Sequence, residues 1–275
     1  MALSVNTNAA AMVALQNLNK TNMDLSEVQT RINTGLRVAG AKDDGGIFAI
    51  AQRMRSQVAG YGVVKQSLDL ATSTTDVALA AGEAISDLLV EMKEKALAAS
   101  DASLDTQSRT ALNEDFKSLR DQVATIVSNA EFNGTNIING SVTSISALAN
   151  SDGTNTIRIS DENMSLGGGV VTLAAAASFA TAGDASTIVT TIETSLDNLN
   201  QSLARLGTAS KSLEVHNNFV TKLSDSLEKG IGALVDADLA KESARLQSLQ
   251  TKQQLGVQAL SIANQAPSTI LSFFQ

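Results

Sequence analysis

The sequence predicts a mainly α protein: a long antiparallel helical coiled-coil bundle from the N- and C-terminal arms, with a small β-hairpin region in the middle. Three observations carry that prediction. Ile192, Leu199, Leu206, Leu213, Val220, Leu227 and Leu234 fall seven apart without a miss, the spacing that holds one side of a helix against a neighbour. Proline occurs once, at Pro267, so the residue that most surely breaks a helix is missing from long stretches. Aromatic residues make up 3% of the chain and there is no Trp. The core therefore has to come from many small contacts between close helices rather than from large rings.

Residues 8–34 read as a helix, because Leu18, Leu25 and Ile32 recur every seven residues with Val28 on the neighbouring row. The stretch from Gly35 to Gly46 holds four glycines and the acidic pair Asp43-Asp44, a loop ending in a helix N-cap. A long helix is expected from about Gly45 to Ser100. Ile47, Ala51, Met54, Val58, Tyr61 and Leu68 form its apolar stripe, and Val77, Ala81, Ile85, Leu88, Met92 and Ala96 continue it. Gly60, Gly62 and Gly82 interrupt at a cost of about 1 kcal/mol each relative to alanine, so packing has to support this helix. Another is expected over roughly Thr106–Asn129, with Leu112, Phe116, Leu119, Val123 and Ile126 on one face.

Residues 130–187 are dense in Gly, Asn, Ser and Thr. Asn150-Ser151-Asp152-Gly153 is a turn signal between two β-prone runs, Val142–Ala149 and Thr154–Ser160, which reads as a hairpin. Ala174–Ala177 fits a helix start or a loop equally. The seven-residue ladder follows. Burying a Leu-sized side chain stabilises by roughly 1.5–3 kcal/mol, so the ladder Ile192–Leu234 is expected in an intramolecular seam. Its companion row, Val189, Leu196, Leu203, Ser210, Asn217, Ser224 and Ile231, is polar in the middle. Those polar residues either fix the register between helices or mark where the seam opens to solvent. Asp236 and Asp238 supply another N-cap, and a last helix runs to about Asn264 along Leu239, Leu246, Leu249, Leu260 and Ala263.

Composition excludes several functions. The net charge of −8 argues against a nucleic-acid partner. The absence of cysteine excludes disulfides and thiol chemistry. The single histidine, His216, cannot build a His-rich metal site. Asp43 and Asp44 read as a cap plus charges paired with Arg31, Arg37 or Lys42 of the same or a neighbouring chain, rather than as metal ligands. No base, nucleophile and orienter come together, so neither catalysis nor a cofactor is expected. Met1–Asn6 lacks a basic segment followed by an apolar run, so no cleaved signal peptide is expected. Gln258, Asn264, Gln265 and Pro267 argue against a membrane span in Leu255–Phe274. Both ends are nearly uncharged: the first charged side chain is Lys20 and the last is Lys252. Apolar rows there, Leu18, Leu25, Ile32, Leu239, Leu246, Leu260 and Ile270, are expected to pack against other copies of the chain.

Six segments resemble bacterial flagellin, in order and across both arms. They are Arg31–Val38 with Ala41–Asp44, Ile50–Gln57, Glu131-Phe132-Asn133-Gly134-Thr135, Arg205-Leu206-Gly207, Asp236–Ala240, and the tail Gln253–Ile270 with its Ala263-Asn264-Gln265-Ala266-Pro267. The resemblance implies a structural subunit that polymerises into the flagellar filament used for motility. It implies terminal helices 1–40 plus 236–275 as the filament inner core, and residues 41–235 as a rod of long helices with the hairpin region near 130–187. It implies export without a cleaved signal through the flagellar type III apparatus, a chaperone on the C-terminal segment, hook-associated junction and filament cap proteins as partners, and an extracellular location. The alternative from the residues alone is a tip or membrane-active coiled-coil protein of a type III system. One departure stands out. In the stretch Leu89–Lys95, which in the family faces the animal flagellin-sensing Toll-like receptor, Glu91 stands where the pattern has Arg and Lys95 where it has Leu. A poor agonist of that receptor is therefore expected.

Overall fold

The computed structural model describes residues 7–271, with side chains through Gln265. Five helices and one two-stranded sheet follow one another: α1 (Ala9–Thr34), α2 (Gly45–Ala99), α3 (Thr106–Asn129), β1 (Ser144–Leu148), β2 (Thr156–Ser160), α4 (Ala182–Val235) and α5 (Leu239–Leu271). The chain divides into two compact units, residues 1–56 with 226–275, and residues 57–225.

In the second unit the parts of α2 and α4 run antiparallel. Asn217 Nδ2 donates to Asp69 at 2.6 Å, Ser210 Oγ to Asp76 at 3.3 Å, and Lys93 pairs with Glu193 at 2.9 Å. As the α2 number rises, the α4 number falls by the same amount, so one register runs the length of the seam. Ile192, Leu199, Leu206, Leu213 and Val220 are all buried in it, facing a core that includes Leu68, Ile85, Leu89 and Met92. Ser210 and Asn217, the polar middle of the companion row, are register pins: each bonds an aspartate of α2 on the rim of the core. Ser195 and Ser202, which are buried, bond the α4 backbone four residues back.

The glycines expected to weaken α2 are partly explained by close approach. A Cβ on Gly60 would sit 2.8 Å from Ser151 Cβ, and one on Gly82 would sit 2.7 Å from Leu203 Cδ2. Both distances are far inside van der Waals contact, so the hairpin turn and α4 approach α2 there only because no side chain stands in the way. Gly62 meets nothing.

The hairpin strands are shorter than the sequence predicts, Ser144–Leu148 and Thr156–Ser160, with Ser146 opposite Arg158. Asn150 ends them early: its carbonyl accepts from Gly153 N–H and its side-chain oxygen from Asn155 N–H, which draws the ends of both runs into the turn. Ala147 and Ile159 point into the core. Ala174–Ala177 is a turn, closed by Ala177 N–H donating to Ala174 O, and Arg120 Nη1 of α3 donates to Ala177 O at 2.8 Å. Glu162, buried beside the hairpin, accepts both forks of Arg205 at 2.6 Å, and this holds the Arg205 guanidinium above its ordinary range.

In the first unit, Val38, Ala51 and Val235 form a small core with Ile47, Phe48, Ile231 and Leu234 around it. The loop after α1 is tied to the end of α4 by Arg37 and Val38 N–H groups donating to Val235 O, and by Ala237 N–H donating to Gly35 O. Helix α5 continues to Leu271, past the end expected near Asn264.

Candidate assembly surface

The first unit leaves its apolar residues unusually open. Helices α1 and α5 pack antiparallel: Asn22 accepts from Gln253, Arg31 pairs with Glu242, and Leu18 lies against Gly256. Yet among the described residues only Val28 of α1 is buried, and only Glu242 and Leu249 of α5. Leu18, Leu25, Ile32, Leu246 and Leu260 are half-buried, Leu239 is exposed, and the Ile270 side chain lies outside the described residues. Other apolar residues are barer still. Met12, Val13, Leu15 and Met23 of α1 and Leu255, Val257 and Ile262 of α5 are exposed, up to 66% at Met23 and 70% at Ile262. The sequence reading named none of these seven. A single helix pattern shows that apolar rows exist, but not which row its partner takes.

Near their ends the arms are tied through Asn8. Pro267 has no N–H, so inside α5 the carbonyl of Ala263 loses its donor four residues on. Asn8 replaces it: Nδ2 donates to Ala263 O at 2.7 Å. The same amide caps α1, its Oδ1 accepting from Ala11 N–H at 3.1 Å. This explains how α5 passes its proline and runs beyond Asn264. Asn8→Asp keeps the acceptor and loses the donor. We expect it to weaken arm pairing by about 1 kcal/mol, read as faster proteolysis of both arms. Asn8→Ala should cost more, because it also removes the cap.

The charged candidates sort differently from the sequence reading. Asp44 is the N-cap of α2, its Oδ1 accepting from Gly46 and Ile47 N–H. Asp43 instead closes the loop, its Oδ2 accepting from Ala39 and Gly40 N–H. Neither pairs with Arg31, Arg37 or Lys42 within the chain. Backbone amides already occupy both carboxylates, and Arg31 is drawn to Glu27 one turn back and to Glu242 across the seam. Arg37 donates to Leu234 O. Lys42 lines a groove of about 540 Å³ with Met23, Arg31 and Leu36. Asp238 caps α5 through Ala240 and Lys241 N–H, while Asp236 sits in a backbone bridge with Leu36. In the second unit, Lys95 bonds Asp115 of α3 at 2.9 Å, which raises its pKa, and Glu91 is exposed. His216 bonds Ala149 O at 2.8 Å, a link from α4 to the hairpin.

Comparison with known proteins falls on both arms. Residues 5–143 match the bacterial flagellin N-terminal helical region, and residues 189–274 match the C-terminal helical region. Flagellin FljM of Caulobacter vibrioides is 56% identical over 272 residues, covering 99% of this chain and 98% of that protein. A flagellin of Brucella melitensis is 37% identical, covering 99% of each. A crystal structure of Bacillus cereus flagellin superposes with a TM-score of 0.49 at 22% identity, over 56% of this chain and 88% of that one.

Proposed function

The chain belongs to the bacterial flagellin family, a structural subunit of the extracellular flagellar filament and not an enzyme, and from that premise we propose that its terminal helices form the filament's inner core. The observation that carries this reading is the set of apolar side chains left bare when α1 and α5 pair, Met12, Val13, Leu15 and Met23 with Leu255, Val257 and Ile262. Covering such side chains is worth roughly 1.5–3 kcal/mol each, so together they drive association on the order of 10 kcal/mol gross. In this reading each subunit covers these side chains with a different patch of its neighbour. Contacts of that kind that do not close into a ring generate a helical polymer. Leu18, Leu25, Ile32, Leu246 and Leu260, which are half-buried, and the exposed Leu239 contribute where they meet neighbours, and Ile270 belongs to the same proposed set. Lys42 and Arg37 face charges of the next subunit, because among the described residues no carboxylate pairs with them. Family membership decides against the membrane-active alternative. Electron microscopy of the purified full-length protein tests the reading: filaments are expected, and a concentrated solution that stays monodisperse when seeded with filament fragments overturns it.

Export of the unfolded chain without a cleaved signal, a chaperone on the uncharged C-terminal segment, and junction and cap proteins as end partners belong to the same proposal. So does weak recognition by the animal flagellin-sensing receptor. Glu91 offers the wrong charge, and Lys95 is held by Asp115 rather than presenting an apolar tip. In a cell reporter assay, monomer should activate at least about tenfold less than an otherwise identical Glu91→Arg, Lys95→Leu variant, a shift that about 1.4 kcal/mol of binding would produce. Equal activation would sink the idea.

A further inference from the structure

Strands β1 and β2 form a sheet with two outer edges: the β1 edge is tied to α2 at one peptide, and no described group bonds the β2 edge. Ala149 N–H donates to Asn155 O, and Asp161 N–H donates to Thr143 O. These two bonds fix the hydrogen-bonded pairs at both ends of the ladder. Bonded and non-bonded pairs alternate in an antiparallel ladder, so the peptide groups of Ser144, Ser146 and Leu148 point away from β2. Those of Thr156, Arg158 and Ser160 point away from β1. On the β1 side, Leu148 N–H donates to Ser67 Oγ of α2 at 3.0 Å. On the β2 side, no described group bonds the outward peptides, and Thr156, Arg158 and Ser160 are all exposed. A bare edge of this kind is a template for a strand from another molecule.

We propose that Arg158, at the centre of this open edge, keeps it from pairing with the same edge of a second copy. Antiparallel pairing of two β2 edges about a two-fold axis puts Thr156 opposite Ser160 and Arg158 opposite Arg158. The hydroxyl pairs do not oppose it. The two guanidiniums would stand with their Cβ atoms about 5 Å apart, and like charges directly opposite are destabilising. Among the described residues Arg158 makes no ion pair that would cancel its charge. The edge chemistry itself does not depend on polymerisation.

The chain has no cysteine, so site-specific disulfide trapping tests this on soluble full-length protein. One copy carries Thr156→Cys and the other Ser160→Cys, and the mixed dimer is read on a non-reducing gel after mild oxidation. Two copies that both keep Arg158 should crosslink at a low level. Adding Arg158→Glu to one copy makes the facing charges opposite and should raise the yield at least about fivefold. Adding it to both should return the low level, and Arg158→Lys in both should match the native arginine. Equal yields in all four mixtures, or no rise in the charge-matched one, overturn the proposal. A preparation that forms no filaments reads out equally well, so failure of the assembly reading stays distinguishable.

Discussion

Deleting residues 255–275 should abolish filament formation at concentrations where the full chain polymerises. The deletion removes Leu255, Val257 and Ile262, three of the most exposed apolar side chains of α5. It also removes the Ala263 carbonyl that Asn8 holds and Gly256, against which Leu18 lies. Three such side chains correspond to roughly 4–9 kcal/mol of burial. The lower figure alone raises the critical concentration about a thousandfold. Circular dichroism should show a larger loss of helix than the deleted residues account for, since Ala9–Leu18 loses the surface it lies on, and short unsupported helices are marginal in water. The unit spanning residues 57–225 keeps its own core, so its urea transition should stay in place. Electron microscopy showing filaments of ordinary length from the truncated chain would falsify the assignment of α5 to the assembly surface.

What the sequence disclosed and what it withheld divide along a physical line. Ile192 to Val220 were legible because a seven-residue period leaves one arrangement that keeps every member dry. The cap at Asp44 was legible because it depends only on residues two and three positions on. Asn8 was not, because its partner lies 255 residues away in the chain and is needed only because of a proline. The arms were legible as helices with apolar rows, but their tertiary pairing chose Leu18 and Leu25 for partial cover and left Met12 and Met23 in water. Periodicity cannot make that choice when two rows are apolar. Asp43 was half-read: its sign and place in the loop were evident, but two competing backbone amides outranked any cation. The segment around Ala174 stayed undecided because its conformation is fixed from outside, by Arg120 of α3.

That same segment makes α3 the most sensitive part of the second unit. The chain has seven Phe and one Tyr, and two of those rings meet at one point: Phe116 and Phe179 have centroids 5.3 Å apart with planes tilted by 58°. Phe116 is 0% exposed, and Phe179 N–H donates to the buried Asn113 Oδ1 at 2.9 Å. In a close-packed core of Ala, Val, Leu, Ile and Met, the neighbours refill the void left by a ring only in part. Phe116→Ala should therefore destabilise the unit by about 3–5 kcal/mol, read as a lower urea midpoint. A double-mutant cycle with Phe179→Ala should return a coupling of about 0.5–1.5 kcal/mol from the ring pair itself. Filaments should still form under conditions where the variant is folded, because neither ring belongs to the exposed apolar set on α1 and α5. A loss below about 1 kcal/mol for Phe116→Ala would mean that α3 is held by its polar ties to residues 177–179 rather than by this aromatic contact.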